Sequence, residues 1–236
     1  MGNAVVKRIA HRATVRGLPE NSIAGLRALQ KADCDGVEID LQASSDGILY
    51  AVHDADVLVQ GRKRRFMDLS SREIAAAPEL ASVPTLDAAL EELKKIPGQI
   101  VFDVKTRGVA APLAAVLDDP DLRRRTLVMS FSHVHLKEFR RLRTDVECGQ
   151  LIGWSRAAKT IPGALAMVLG LVSPIAAARR IGCDVAVVPV WRTNNALISA
   201  AHRRKVAVYV WNGEVMHDPP PGLDVDGAIV DVSSRA

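Results

Sequence analysis

A closed barrel of eight parallel strands, each followed by a helix, is the fold class that the sequence predicts: an α/β protein of the (β/α)8 TIM type. Strand-like apolar runs alternate with helical patterns almost from end to end, the signature of a parallel sheet built from β-α-β units. Eight such runs fit into 236 residues, a length that suits one barrel, since α/β barrels run to about 250 residues as a single domain. The turn after the first run reads "HRATVRGLPEN" and lacks a glycine-rich phosphate loop, which sets aside the doubly wound open sheet. No Pro/Gly/Ser linker divides the chain, so residues 1–236 are read as one domain.

The first strand is "AVVKRIAHR" (4–12). "NSIAGLRALQKA" follows, with apolar residues at helical spacing and Asn21 as the expected cap. The second strand, "GVEIDLQAS" (36–44), is followed by an extra ribbon, "ILYAVHD" (48–54), beyond an Asp46-Gly47 turn. A long connection, 55–83, carries the basic cluster Arg62-Lys63-Arg64-Arg65, expected in a solvated loop or at a helix end. "TLDAALEELKKI" starts a helix at Thr85, with acids early and lysines late, as the helix dipole favours. The third to fifth strands are "QIVFDVKT" (99–106), "TLVMSFS" (126–132) and "VECGQLIG" (146–153), with "HLKEFRRLR" helical between the last two. "DVAVVPVW" (184–191), the helical "NNALISAAHRRK", "VAVYVWNG" (206–213) and "GAIVDVS" (227–233) complete the set. The proline-rich "EVMHDPPPGLDVD" is a poor helix, and the last barrel helix is expected to be short or absent.

Composition is that of an ordinary soluble globular protein. Net charge is +4 and aromatic residues make up 4%, so neither a nucleic-acid surface nor a base-stacking platform is expected. Cys34, Cys148 and Cys183 lie far apart, matching no metal spacing and no disulfide framework. The N-terminus enters a strand without the apolar core of a signal peptide, and a cytoplasmic location is expected. The uncharged stretch 160–178, "TIPGALAMVLGLVSPIAAA", is interrupted by Pro162 and Pro174 and is short of a membrane span. It reads as a barrel helix, or as an apolar element beside the mouth that touches a membrane or an acyl chain.

Active sites of such barrels sit at the C-terminal ends of the strands. Here those ends carry His11-Arg12, Glu38 and Asp40, His53-Asp54, Asp103 and Lys105, Ser130 and Ser132, Trp191-Arg192, Trp211-Asn212 and Asp231. Glu38 and Asp40 are two apart on a strand, and so share one face, while Val37, Ile39 and Leu41 share the other. Three carboxylates aimed at one space repel each other and resist desolvation. A divalent cation among them removes the conflict, and oxygen ligands suit Mg2+, Ca2+ or Mn2+. Two histidines nearby suit acid and base work near neutral pH. Arg12 and Lys105 beside a cation make a phosphate-binding arrangement. Metal-assisted cleavage of a phosphoester follows as the reaction class. The remaining histidines, His133, His135, His202 and His217, are read as surface or structural.

The motifs "AHR" (10–12), "PEN" (19–21), "EID" (38–40), "HD" (53–54), "VPTLDAALEEL" (83–93), "FDVK" (102–105), "SF" (130–131), "VWN" (210–212) and "DGAIVD" (226–231) resemble, in order, those of glycerophosphodiester phosphodiesterases, a family of the PLC-like phosphodiesterase barrel superfamily. The resemblance implies hydrolysis of a glycerophosphodiester to an alcohol and glycerol phosphate, with one divalent cation. It implies His11 and His53 as acid and base, and Glu38, Asp40 and Asp103 as metal ligands. Arg12 and Lys105 would hold the phosphate, with Glu20 at the mouth and Trp211 as a substrate wall. Three positions depart from the family pattern. Ala13 replaces a glycine, which a negative φ would accommodate. Asp103 replaces a glutamate, as in the related sphingomyelinase D type, so that a shorter arm must bring the metal closer or reach it through water. "WNGE" (211–214) replaces a "WTVN"-like motif, which bears on the substrate wall at Trp211. The lipid-directed alternative is lysophospholipase D or sphingomyelinase D-like cleavage. A catalytically silent phosphate-binding barrel is the alternative of another class, and a barrel lyase or aldolase is disfavoured because Lys105 lies among carboxylates that keep it charged.

Overall fold

The computed structural model describes residues 6–153, 174–212 and 218–232. Eight strands form the barrel: β1 (Lys7–Val15), β2 (Gly36–Ala43), β6 (Gln99–Val104), β7 (Thr126–Ser130), β8 (Glu147–Leu151), β9 (Val185–Pro189), β10 (Ala207–Trp211) and β11 (Gly227–Val232). All neighbouring pairs are parallel, and β1 bonds to both β2 and β11, which closes the ring. Strand β3 (Leu49–Ala51) returns antiparallel on β2. It is shorter than the ribbon expected from the sequence.

The helices between strands are α1 (Ile23–Leu29), α2 (Ser71–Ala76), α3 (Leu86–Leu93), α4 (Ala110–Val116), α5 (Pro120–Arg124), α6 (His133–Leu142), α7 (Pro174–Arg180) and α8 (Asn195–His202). Their starts follow local chemistry. Thr85 accepts from the Ala88 N–H at 3.2 Å and Asn194 from the Leu197 N–H at 2.9 Å, each satisfying an otherwise orphaned donor of the first turn. Helix α1 departs from expectation. Its cap is Ser22, whose hydroxyl accepts from the Gly25 N–H at 3.0 Å. Asn21, one residue earlier, has φ +53° and is turned to another task described below.

Alternation along each strand divides the core into two layers. Val37, Ile39 and Leu41 of β2, with Ile100, Phe102 and Val104 of β6, face the helices. Ile9, Val101, Leu127, Met129, Val187, Tyr209 and Ile229 fill the interior. At its lower end the Tyr209 hydroxyl donates to Gln99 Oε1 at 2.7 Å. That ring lies so close to Gly227 that a Cβ there would stand 2.8 Å from it, which explains glycine at the start of β11.

The connection 55–83 holds a hairpin, β4 (Asp56–Val59) with β5 (Arg62–Arg65), then α2 and short 3-10 turns. The basic cluster expected in a loop or at a helix end is thus a strand, exposed along its length. Beneath it Phe66, Leu69, Ile74 and Leu80 form a small separate core with Tyr50. Residues 160–173 of the apolar stretch lie outside the described residues, and 174–178 begin α7. Among the described residues no helix is long and apolar enough to cross a membrane. No helix falls in the described part of the β10–β11 connection, 218–226.

Candidate active site

Glu38 and Asp40 come up from β2, and Asp103 stands directly beside Asp40 because the two are register partners across β2 and β6. Parallel register puts partners on the same face, so the strand pairing itself assembles the triad. One oxygen from each carboxylate lies within 4.8 Å of the others, and all three side chains are buried. Asp103, despite its shorter arm, therefore reaches the cluster directly.

Two cations enter the same space. Lys105 Nζ is 2.8 Å from Asp40 Oδ1 and bonds Asp103 Oδ2. Arg12 Nε is 3.4 Å from Asp40 Oδ2, and its Nη1 pairs with Glu20 at 2.9 Å. Two further donors reach the carboxylates. The Arg12 N–H donates to Glu38 Oε2 at 2.8 Å, and the Asn21 side chain donates to Asp40 Oδ2 at 2.8 Å while accepting from the Asp40 N–H at 3.0 Å.

Burial raises all three carboxyl groups, and their neighbours then divide them. Glu38 is pushed well above the usual range by desolvation and by the charges of Asp40 and Asp103. For Asp40 the burial cost is overcome by Lys105, Asn21 and Arg12, which hold it low. Asp103 stays raised: desolvation dominates, Lys105 opposes it and Asp40 adds to it. Desolvation alone would lower Lys105, but Asp103, Asp40 and Glu38 raise it, so the ammonium is firmly protonated.

The cluster is short of positive charge and of donors. Asp103 Oδ1 is buried with no hydrogen-bond partner, and an orphaned buried carboxylate oxygen is costly. Three oxygen donors without nitrogen or sulfur form a set matched to a hard divalent cation. The residues present thus fit the metal expected from the sequence.

The two histidines flank this cluster. His11 Nδ1 is 3.2 Å from Asp231 Oδ1 at the end of β11, and His53 Nδ1 is 2.9 Å from Asp54 Oδ1. In both, the carboxylate takes Nδ1 and leaves Nε2 as the nitrogen offered to the pocket. His53 lies on the loop after β3. The Gln42 amide clamps that loop, donating to the carbonyls of Val52, His53 and Asp54 at 3.2, 3.2 and 2.8 Å. The Asp46-Gly47 turn, with Gly47 at φ +85°, returns the chain as expected. Burial, and then the charge of Arg12, lower the His11 pKa; Asp231 opposes them.

The two histidines, the three carboxylates, Arg12 and Lys105 line a cavity of about 220 Å3, with Met129, Leu151 and Ile229 as an apolar floor. Trp211 and Phe131 form one wall. Their rings meet edge to face at 5.6 Å, and Trp211 Nε1 donates to the Ile152 carbonyl at 3.2 Å. Of the site residues expected from sequence, His11, Arg12, Glu38, Asp40, His53, Asp103, Lys105 and Trp211 converge here. Glu20 stands apart, reaching the site through Arg12 and lining a neighbouring cleft instead.

Sequence reading missed Asn21, Gln42 and Phe131 as site residues and left Asp54 and Asp231 only as strand ends. Asn21 and Phe131 sit inside the motifs "PEN" and "SF". Gln42 carried no signal beyond its i+2 spacing from Asp40. Ala13 corrects an expectation: its φ is +49°, as is that of Arg12, so the alanine occupies a left-handed conformation that favours glycine.

Residues 11–233 match the family model described as the glycerophosphoryl diester phosphodiesterase family. A glycerophosphodiester phosphodiesterase of Caldanaerobacter subterraneus subsp. tengcongensis is 25% identical over 158 residues, which cover 61% of this chain and 65% of that protein. The human glycerophosphodiester phosphodiesterase 1 is 30% identical over 157 residues, 60% of this chain and 47% of that protein. In both, the matched stretch is less than two thirds of the relative's length. An Oleispira antarctica phosphodiesterase, solved in complex with the product sn-glycerol-3-phosphate, shares the fold with a TM-score of 0.73 at 17% identity, over 97% of this chain and 92% of that one. The family match runs from His11 through the strand that carries Asp231, and the chain belongs to the glycerophosphoryl diester phosphodiesterase family.

Proposed function

We propose that this chain hydrolyses a glycerophosphodiester to glycerol phosphate and a free alcohol, with His11 and His53 as base and acid around a divalent cation held by Glu38, Asp40 and Asp103. The observation that supports it most is the paired arrangement of the histidines: two imidazoles, each fixed at Nδ1 by its own carboxylate, on a pocket that also holds a buried carboxylate triad, an arginine and a lysine. The names of the relatives above, and the glycerol phosphate bound in the Oleispira protein, agree with it.

Mg2+, Ca2+ or Mn2+ at the triad would supply Lewis-acid stabilisation of phosphoryl oxygens. The chain's own residues do the rest. Arg12 and Lys105 place positive charge beside the phosphate and match the charge gained in the five-coordinate transition state. Burial keeps His11 neutral at pH 7, so its Nε2 can take the proton of an attacking water. His53 Nε2 gives a proton to the leaving alkoxide as the P–O bond to the alcohol breaks. One proton is taken and one is given, so the two histidines leave this step exchanged in protonation and return to their starting forms by proton exchange with water before the next turnover. The Phe131–Trp211 wall keeps one side of the pocket apolar.

The test is turnover of glycerophosphocholine, glycerophosphoethanolamine, lysophosphatidylcholine and sphingomyelin in EDTA and after restoring Mg2+ or Ca2+. Activity on the glycerophosphodiesters should vanish in EDTA and return with metal. Alanine at His11 or His53 should lower it about 100-fold or more with the fold retained. Full activity in EDTA, or near-normal turnover by either variant, overturns the corresponding role.

A further inference from the structure

The catalytic pocket lies between two clefts of opposite character. On the β2–β3 side a cleft of about 230 Å3 shares His53 with the pocket and carries the carboxylates of Glu20 and Asp54. On the β7–β8 side a larger cleft, about 450 Å3, shares Phe131 and Leu151 with the pocket and is bordered by His133, Lys137 and Arg180. No carboxylate lines this second cleft among the described residues.

The side chains of Lys137 and Arg180 are exposed and, among the described residues, take part in no ion pair or hydrogen bond. Elsewhere the chain pairs many of its cations: Arg140 with Asp184, Arg143 with Asp118 and Asp145, Arg123 with Asp145. Lys137 lies one turn beyond His133 on α6, so the two share a face, and Arg180 approaches from the end of α7. The floor between them is formed by Leu151, Ile152 and Gln150, whose amide nitrogen is committed to the carbonyls of Ser130, Phe131 and Leu151 at 3.1, 3.2 and 2.9 Å. The cleft is therefore a preformed recess with two uncommitted cations at its border, opening beside the catalytic pocket, and its volume is within the range of small-molecule sites.

A phosphodiester has two arms, and the pocket has a cleft on each of two sides. We propose that the β7–β8 cleft is the subsite for the alcohol arm and that it selects substrates whose leaving alcohol carries a negative charge, a further phosphate above all. Lys137 and Arg180 bind that anion, with His133 beside Lys137 on the same helix face. The uncharged, hydroxyl-bearing glycerol arm takes the opposite cleft, where Glu20 and Asp54 offer acceptors. This rests on the hydrolysis proposed above and names the substrate class for it.

The test compares kcat/KM for three glycerophosphodiesters that differ in the leaving alcohol: glycerol phosphate, glycerol and choline. Wild-type enzyme should favour the glycerol phosphate ester over the glycerol ester by about tenfold at low salt, with the gap shrinking as ionic strength rises. The double variant K137E/R180E should remove that preference and leave the glycerol and choline esters within about twofold. Equal kcat/KM for the three esters in the wild type, or an equal fall for all three in the variant, overturns the subsite. If no diester is hydrolysed, the hydrolytic reading fails by itself, and calorimetric titration in Mg2+ decides the subsite alone. Tighter binding of glycerol 1,3-bisphosphate than of glycerol 3-phosphate, lost in K137E/R180E, supports it; equal affinities overturn it.

Discussion

Lys105→Met tests the charge balance on which the site rests. Lys105 Nζ stands 2.8 Å from Asp40 Oδ1 and bonds Asp103 as well. At that separation, with an effective dielectric of about 20, the Asp40 contact alone carries about 6 kcal/mol of attraction. Part of it is offset by the cost of desolvating the ammonium, and removing one partner of a buried pair generally costs about 3–5 kcal/mol because the other charge is left uncompensated. For a domain of this size each kcal/mol moves Tm by about 2–4 °C, so in EDTA at pH 8 the variant should melt about 6–20 °C below wild type. Two dependences separate this cause from lost packing. The carboxylates of the variant take up protons more readily in the native state than in the unfolded chain, so its stability falls as pH rises, and the deficit should be smaller at pH 5 than at pH 8. A divalent cation at the triad would replace the missing charge, so saturating Mg2+ or Ca2+ should raise Tm more in the variant than in wild type. Thermal and denaturant unfolding with EDTA and with metal read both. A deficit below about 1 kcal/mol at pH 8, or one unchanged by pH and by metal, refutes the idea that Lys105 stands in for cationic charge at this cluster.

Three further outcomes follow from the same geometry. Glu38 is raised well above the carboxylate range by burial and by Asp40 and Asp103, and a bound cation would favour its ionised form; calorimetry of Mg2+ binding in buffers of different ionisation enthalpy should find proton release that grows as the pH is lowered from 7 to 5, and no release across that range refutes the assignment. His11 is lowered by burial and Arg12 while Asp231 opposes them; kcat/KM should therefore fall on the acid side with a midpoint below 6.5, and Asp231→Asn should move that midpoint lower still and reduce the plateau about tenfold. Ala13→Gly relieves a left-handed alanine, worth about 1–2 kcal/mol, but loses a buried methyl worth about 0.8 kcal/mol and loosens the unfolded chain by about 0.4–1 kcal/mol; unfolding free energy should change by less than about 1 kcal/mol.

The barrel and the triad were legible because both follow from period-two alternation. Val37, Ile39 and Leu41 against Glu38 and Asp40 define two faces before any coordinates are known, and parallel register then forces Asp103 beside Asp40. What stayed hidden depends on single backbone angles or on contacts between distant loops. "PEN" looked like a helix start, and asparagine is a good cap; the chain instead caps α1 with Ser22. The basic run 62–65 has no apolar alternation, because both faces of β5 are exposed, and period-two reading had nothing to detect. Gln42 shares the face of Asp40, yet its function is to hold three carbonyls of another loop, which no local pattern announces.

The strained residues explain why the region around "HRA" and "PEN" has to be irregular. Arg12, Ala13 and Asn21 all have φ near +50°, each a cost that persists only where the surroundings enforce it. They are tied to one another, the Asn21 N–H donating to the Arg12 carbonyl at 2.6 Å. They are tied equally to the cluster: the Arg12 N–H reaches Glu38, and the Asn21 side chain grips Asp40 at both its carboxylate and its N–H. A regular β1 would carry its N–H groups into the ladders with β2 and β11; here the register with β11 breaks between Ala10 and Val15. The break frees the Arg12 N–H for Glu38, and the guanidinium comes to rest beside Asp40. The bulge thus converts sheet donors into site donors. It holds two carboxylates where their mutual repulsion would drive them apart, and it leaves Asp103 Oδ1 as the oxygen without a partner, which is the vertex a cation would complete.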